Sequence, residues 1–273
     1  MILVLASIVV AVTVLQSSSR ISYDASAIYF SNAKLTALNQ RASFFTNDTF
    51  VASVLQSSIQ NAAIIQVFGE QSARIFSWVS GLLIVALGLG IGRSVGLSKV
   101  GRIMFLVLMA STTSFLDLMG DGKVDLLSCA YALSVIYLIE QKNNRREVIH
   151  SHTLFLIGYL AGFACITRPF NAFLVGVIVL VLLLLKYFWG NNINLARVRE
   201  FAITLLWIVA GVIGPAVFHI LFNWIFLGSP VAFISSLSKI NPVTGPWDFD
   251  PKTIFVSRML YPLVVTFKTT HRV

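Results

Sequence analysis

The sequence predicts an all-α fold, a polytopic transmembrane helical bundle of seven to eight spans with a long first external loop carrying interfacial helices. Composition points there first. The 273-residue chain is 57% hydrophobic and only 11% charged, against about 25% charged residues in a soluble domain. Its mean hydropathy is +0.84. Uncharged windows of about 15–20 residues recur along it, and a helix of about 20 apolar residues crosses a hydrocarbon layer of roughly 30 Å. A β-barrel would instead show alternating segments of about ten residues.

Taken in order, the spans are expected over residues 1–16, 75–92, 101–118, 124–140, 152–167, 171–187 and 201–227. An eighth, over 253–267, carries Arg258 and Pro262. Residues 1–15 lack a basic leader and a small-residue cleavage site, so they read as a retained first span. The stretch 152–187 must cross twice, because one helix of that length would reach about 54 Å at 1.5 Å per residue. Pro169, in "TRPFN" at 167–171, marks the hairpin. Residues 1–273 thus form a single transmembrane domain, with 17–74 as the first external loop and 228–252 as the second.

Charge orients the bundle. The net charge of +9 follows the positive-inside rule and needs no nucleic-acid partner. Arg93, Lys99 and Arg102 share one loop, Lys142, Arg145 and Arg146 the next but one, and Lys186, Arg197 and Arg199 a third. These loops mark the cytoplasmic side, which also places the N-terminus there. All seven aspartates (Asp24, Asp48, Asp117, Asp121, Asp125, Asp248 and Asp250) then fall on the external side. Three glutamates, Glu140, Glu147 and Glu200, fall on the other. Cys129 and Cys165 lie within apolar runs and read as small core residues.

The first external loop is too long for a simple connector. Residues 49–68 carry an apolar stripe of Phe50, Val51, Val54, Leu55, Ile59, Ala62 and Ala63, with Gln56, Ser57 and Gln60 opposite. Such a helix lies flat in the membrane interface. Charge also collects in "SFLDLMGDGKVDLL" at 114–127, between two apolar runs. Asp117, Asp121 and Asp125 would repel along one continuous helix, so Gly120 and Gly122 are expected to break it. Asp121 then N-caps the fourth span. Asp125, deeper in the first turn, reads as a functional carboxylate.

Three local patterns resemble the GT-C superfamily of integral-membrane glycosyltransferases, in the branch of protein mannosyltransferases and aminoarabinose transferases. "YDASAIYFSNAKL" at 23–35 resembles the acidic start of the family's first external loop. There Asp24 and Lys34 match, and Tyr29 stands where many members have His. "GKVDLLSCAYALSVIYLI" at 122–139 resembles the second acidic motif, matched by Lys123 and Asp125. "LAGFACITRPFNAFLVGVIVLVLLLL" at 160–185 resembles the family's hairpin, with Arg168 in place of the usual Lys. "FNWIFLGSPVAF" at 222–233 resembles a later turn, with Ser229 in place of Asn. The family has more spans, so the chain reads as a fragment lacking C-terminal spans.

The resemblance implies transfer of a sugar from a polyprenyl-phosphate carrier to a glycan, lipid or protein acceptor at the external face of a bacterial inner membrane. Asp24 is the expected catalytic base, with Asp125 as the second catalytic carboxylate. Lys34, Lys123, Arg168 and Tyr29 are the expected substrate contacts, the cations facing the carrier phosphate. A divalent cation at Asp24 or Asp125 would have oxygen ligands alone. Two other readings compete. A transporter or flippase would place ionisable residues near mid-span and show inverted repeats. A non-catalytic truncated membrane protein would show no activity at all.

The glycines of "ALGLGIGRSVG" at 86–96 follow no strand and read as helix packing. His150 and His152 are too few for a metal site. Gly214-Pro215 is expected to kink the seventh span. Asn47-Asp48-Thr49 forms a glycosylation sequon.

Overall fold

A computed structural model of the chain describes residues 30–40, 51–144, 149–168, 171–189 and 194–227. The described residues belong to the first of two compact units, Met1–Phe233. Among them every regular element is helical. They are α1 (Ser31–Asn39), α2 (Val51–Phe68), a 3₁₀ turn (Glu70–Arg74), α3 (Ile75–Ser94), α4 (Lys99–Ser111), α5 (Thr113–Asp121), α6 (Asp125–Asn144), α7 (Ser151–Thr167), α8 (Asn171–Phe188) and α9 (Leu195–Leu227).

Among the described residues two helices are long and apolar enough to cross a membrane, Ile75–Ser94 and the Leu195–Ile225 part of α9, so seven to eight spans are not supported. A third span arises if α4 and α5 act together, although they meet at a bend of 63°. The expected span over 101–118 is therefore two helices. Thr112 makes the break: its hydroxyl donates to the Leu108 carbonyl at 2.7 Å, and its backbone is extended, with φ −82° and ψ 103°. A threonine side chain that bonds back to the preceding turn competes with helix continuation.

Length and polarity limit the others. α7 has 17 residues, about 25 Å of helix, and the apolar part of α8, Phe173–Phe188, is also short. α6 has 20 residues but ends in the polar run Glu140–Asn144. The expected spans at 1–16 and 253–267, and the second external loop at 228–252, lie outside the described residues.

Side-chain contacts fix the order of the helices. α3 and the α4–α5 pair form a hairpin. A Cβ on Gly88 would strike the Phe105 ring, and one on Gly81 would strike Met119. α6 runs parallel to α3, because Ser77 Oγ donates to the Lys123 carbonyl at 2.7 Å at one end and Gly90 faces Tyr137 near the other. α7 returns antiparallel to α6, with Tyr131 and Phe163 stacked at 5.6 Å. α8 descends again, and Tyr187 near its end shares a 2.7 Å hydrogen bond with Thr204 of α9. α9 rises beside α7 along a seam of small residues. Gly158 lies against the Ile208 carbonyl, Gly162 against Pro215, and Gly211 against the Phe155 carbonyl. Small residues let two backbones approach this closely in an apolar medium.

Two apolar clusters among the described residues help to hold the bundle. Val135, Ile139, Leu154, Ile157, Val179 and Leu183 join α6, α7 and α8. Ile84, Phe115, Met119, Leu126 and Ala130 join α3, α5 and α6. The outward faces are apolar too, with Leu206, Val209 and Ile213 of α9 exposed, as lipid contact requires.

In the described part of the loop helix α2, Ser58, Asn61 and Ala62 are buried, while Val67 and Phe68 are exposed and so is Ala63.

Candidate functional site

The up-and-down order brings the turn before α6 and the turn after α7 to the same end of the bundle. Gly122 shapes the first turn. It takes φ +79° and ψ 13° and closes α5, a left-handed conformation that glycine adopts without the steric cost of a Cβ. Asp121 is thus the last residue of α5. Its expected role as the N-cap of the next helix is corrected, and its carboxylate instead pairs with Lys123 Nζ at 3.2 Å. Gly120 remains helical. Asp125 opens α6 in its first turn, where the helix dipole favours a carboxylate.

The second turn begins at Arg168, which leaves α7 in an extended conformation, φ −142° and ψ 100°. Its Nη2 lies 2.6 Å from Asp125 Oδ1. The Arg168 and Asp125 side chains keep 32% and 33% of their surfaces exposed. The pair is therefore only partly buried.

A second link, which the sequence reading missed, lies one turn further along. Asn171 Nδ2 donates to Ser128 Oγ at 2.6 Å, and Ser128 Oγ donates to the Ala164 carbonyl at 2.8 Å. Ser128 is fully buried. The Asn171 N–H donates to the Arg168 carbonyl at 2.8 Å. The turn that carries Arg168 is so fastened to α6 at two levels. The signal was present in the spacing: Asp125 and Ser128 are three apart on α6, and Arg168 and Asn171 are three apart across the turn.

The first external loop reaches this end through α1. The buried Phe30 ring occupies the space that a Cβ on Gly122 would need. Lys34, four residues on, lies 2.8 Å from Glu70 in an exposed ion pair. Asp24 and Tyr29 lie outside the described residues.

The structure therefore pairs Asp125 with Arg168 and Asp121 with Lys123, and sets Lys34 against Glu70. Among the described residues, no three His, Cys, Asp or Glu side chains gather as a metal site would need. His150 and His152 stack at 5.5 Å near the opposite end. The chain matches no model of a known protein family, no curated protein and no solved structure.

Proposed function

We propose that the protein is an integral-membrane glycosyltransferase that moves a sugar from a polyprenyl-phosphate carrier to an acceptor hydroxyl or amine. The observation that supports this reading is the Asp125–Arg168 pair beside the Asp121–Lys123 pair, at one end of a helical bundle and next to the first loop. Two basic side chains held by carboxylates form a fixed cradle for a phosphate leaving group. Preorganised charge of this kind stabilises a departing anion without reorganisation during the reaction.

In this mechanism the bond between the anomeric carbon and the carrier phosphate oxygen breaks, and its electron pair leaves with the phosphate. The acceptor's heteroatom bonds to the anomeric carbon, and Asp24 takes its proton. Arg168 and Lys123 neutralise the phosphate, with Lys34 and Tyr29 as further substrate contacts. Asp125 orients Arg168 and is a positioning residue in this scheme. The opposite end of the bundle bears Arg93, Lys99, Arg102, Lys142, Arg197 and Arg199. By the positive-inside rule that end is cytoplasmic, and the site faces the outside of a bacterial inner membrane with the N-terminus inside.

Turnover of a polyprenyl-phosphate hexose in proteoliposomes tests the reading. Asp24→Asn keeps size and hydrogen bonding but cannot accept the proton. It should lower turnover by about 10²-fold or more and leave carrier binding in place. Native turnover in a folded Asp24→Asn protein would remove the catalytic reading.

A further inference from the structure

The turn between α3 and α4 lies at the end of the bundle away from the Asp125–Arg168 pair, and two caps fix its backbone. Gly96 takes φ +82°. Its N–H donates to the Arg93 carbonyl at 3.2 Å, and the Leu97 N–H reaches back to the Gly92 carbonyl at 2.8 Å. This paired bonding closes a helix through a left-handed glycine. Ser98 then caps α4, its hydroxyl oxygen accepting from the Gly101 N–H at 3.2 Å.

Three cations ride on this fixed turn. Arg93 ends α3, and Lys99 and Arg102 lie at the start of α4. The stem of Arg102 crosses back onto α3, with its Cγ 3.7 Å from where a Cβ on Gly92 would stand. The Arg102 side chain is thus held beside the residue that precedes Arg93. Among the described residues no carboxylate pairs with any of the three. The chain carries no acidic residue between Glu70 and Asp117. The positive-inside rule asks for cations beside a span, but it does not ask for a capped turn that holds them together.

The apolar neighbours indicate what kind of anion the turn meets. Val95 is 58% exposed, Val100 69% and Met104 54%. Apolar side chains left bare and rimmed by polar groups mark contact surfaces. A free phosphate would leave them in water. At a membrane surface they meet acyl chains, while the cations beside them meet phosphates.

We propose that the α3–α4 turn binds the headgroup of an anionic phospholipid, with Arg93, Lys99 and Arg102 holding the phosphodiester. The guanidinium forks suit paired contacts to phosphate oxygens. The site depends neither on the transferase reading nor on the leaflet that this end faces.

The test uses the full chain in detergent, titrated with dioctanoyl phosphatidylglycerol, dioctanoyl phosphatidylcholine or inorganic phosphate. Affinity is read from the rise in unfolding temperature, since a molecule that binds only the folded state stabilises it in proportion to its occupancy. Phosphatidylglycerol should bind the native protein about tenfold or more tighter than phosphatidylcholine. Arg93→Gln, Lys99→Gln and Arg102→Gln should each weaken phosphatidylglycerol roughly fivefold, and the triple variant roughly a hundredfold. Arg102→Lys should lose less than Arg102→Gln. Arg197→Gln with Arg199→Gln lowers the net charge elsewhere and should leave the affinity unchanged. The single variants carry the test if the triple variant unfolds early. Native affinity in all three single variants, an equal loss in the Arg197/Arg199 variant, or full competition by inorganic phosphate would each overturn the proposal.

Discussion

Arg168 Nη2 lies 2.6 Å from Asp125 Oδ1, so a cation leaving α7 is held by the first residue of α6. In the proposed reaction the two residues have unequal roles. Removing the cation would remove the proposed phosphate contact, whereas removing the carboxylate only frees the guanidinium to move. Arg168→Ala should lower turnover by about 10²-fold, as loss of one transition-state donor does. Arg168→Lys should retain part of the activity. Asp125→Asn should cost less than Arg168→Ala, and the double variant should resemble Arg168→Ala alone. Stability should change little, because partly exposed ion pairs contribute about 0–1 kcal/mol. Additive losses in a double-mutant cycle would show that the two carboxylate and guanidinium groups act independently.

The inner link should behave differently. Ser128 is fully buried, and its oxygen receives Asn171 Nδ2 at 2.6 Å. Ser128→Ala leaves that amide without its acceptor, which costs about 1–3 kcal/mol. Asn171→Ala removes the donor and leaves Ser128 bonded to the Ala164 carbonyl, so it should cost less. Denaturant titration of the purified protein gives both numbers. A larger loss in Asn171→Ala than in Ser128→Ala would show that the link is not what fastens the turn.

Much of this architecture was legible in the chain, and the exceptions have physical causes. Apolar runs located α3, α6, α7, α8 and α9 because burial in lipid or protein leaves the same mark on sequence. The same ambiguity blurs the count of spans: a 17-residue apolar helix such as α7 reads like a span yet lies at the short end of the range of about 17–25 residues. The break at Thr112 was hidden because an isolated threonine carries no breaker signal on its own. Asp121 suited an N-cap by type and was placed on α6, but Gly122 ends α5 only after it. Asp125, Lys123 and Arg168 were found singly. Their pairing depends on the up-and-down order of the helices, which composition does not encode.

The glycines of the α7–α9 seam predict a contrast in sign. A methyl group on Gly158 would collide with the Ile208 carbonyl, and one on Gly211 with the Phe155 carbonyl. Backbone atoms cannot step aside, so each Gly→Ala change should destabilise by about 1–3 kcal/mol. Gly176 of α8 has nothing within 4 Å of the corresponding position. Gly176→Ala should therefore stabilise by roughly 0.5–1 kcal/mol, through helix propensity alone. Thermal unfolding in detergent separates the cases, and equal effects at Gly158 and Gly176 would dissolve the seam.

The proposed orientation predicts thiol accessibility. In a background without Cys129 and Cys165, a cysteine replacing Asp48 should react with a membrane-impermeant reagent from outside the cell. A cysteine replacing Arg145 should react only after permeabilisation. The reverse pattern would invert the bundle and move the Asp125–Arg168 end into the cytoplasm.

The contact between Phe30 and Gly122 gives the most specific prediction, because two separable penalties meet at one residue. Gly122 holds φ +79°, where a Cβ costs about 1–2 kcal/mol. That Cβ would also enter the Phe30 ring, which is buried at 7% exposure. Gly122→Ala should carry both penalties and push α1 from the turn. Phe30→Ala should leave a cavity at the same place, costing about 3–5 kcal/mol. In the double variant the new methyl group has room, so only the backbone penalty and part of the cavity remain. The combined loss of stability should then be smaller than the sum of the single losses by about 1 kcal/mol or more, the range found for residues in contact. Turnover should follow a different rule. Gly122→Ala and Phe30→Ala both detach the first loop, which carries Asp24, from the Lys123 turn, so each should lower activity more than it lowers stability at working temperature. Strict additivity in stability, or native turnover in both single variants, would separate the loop from the site.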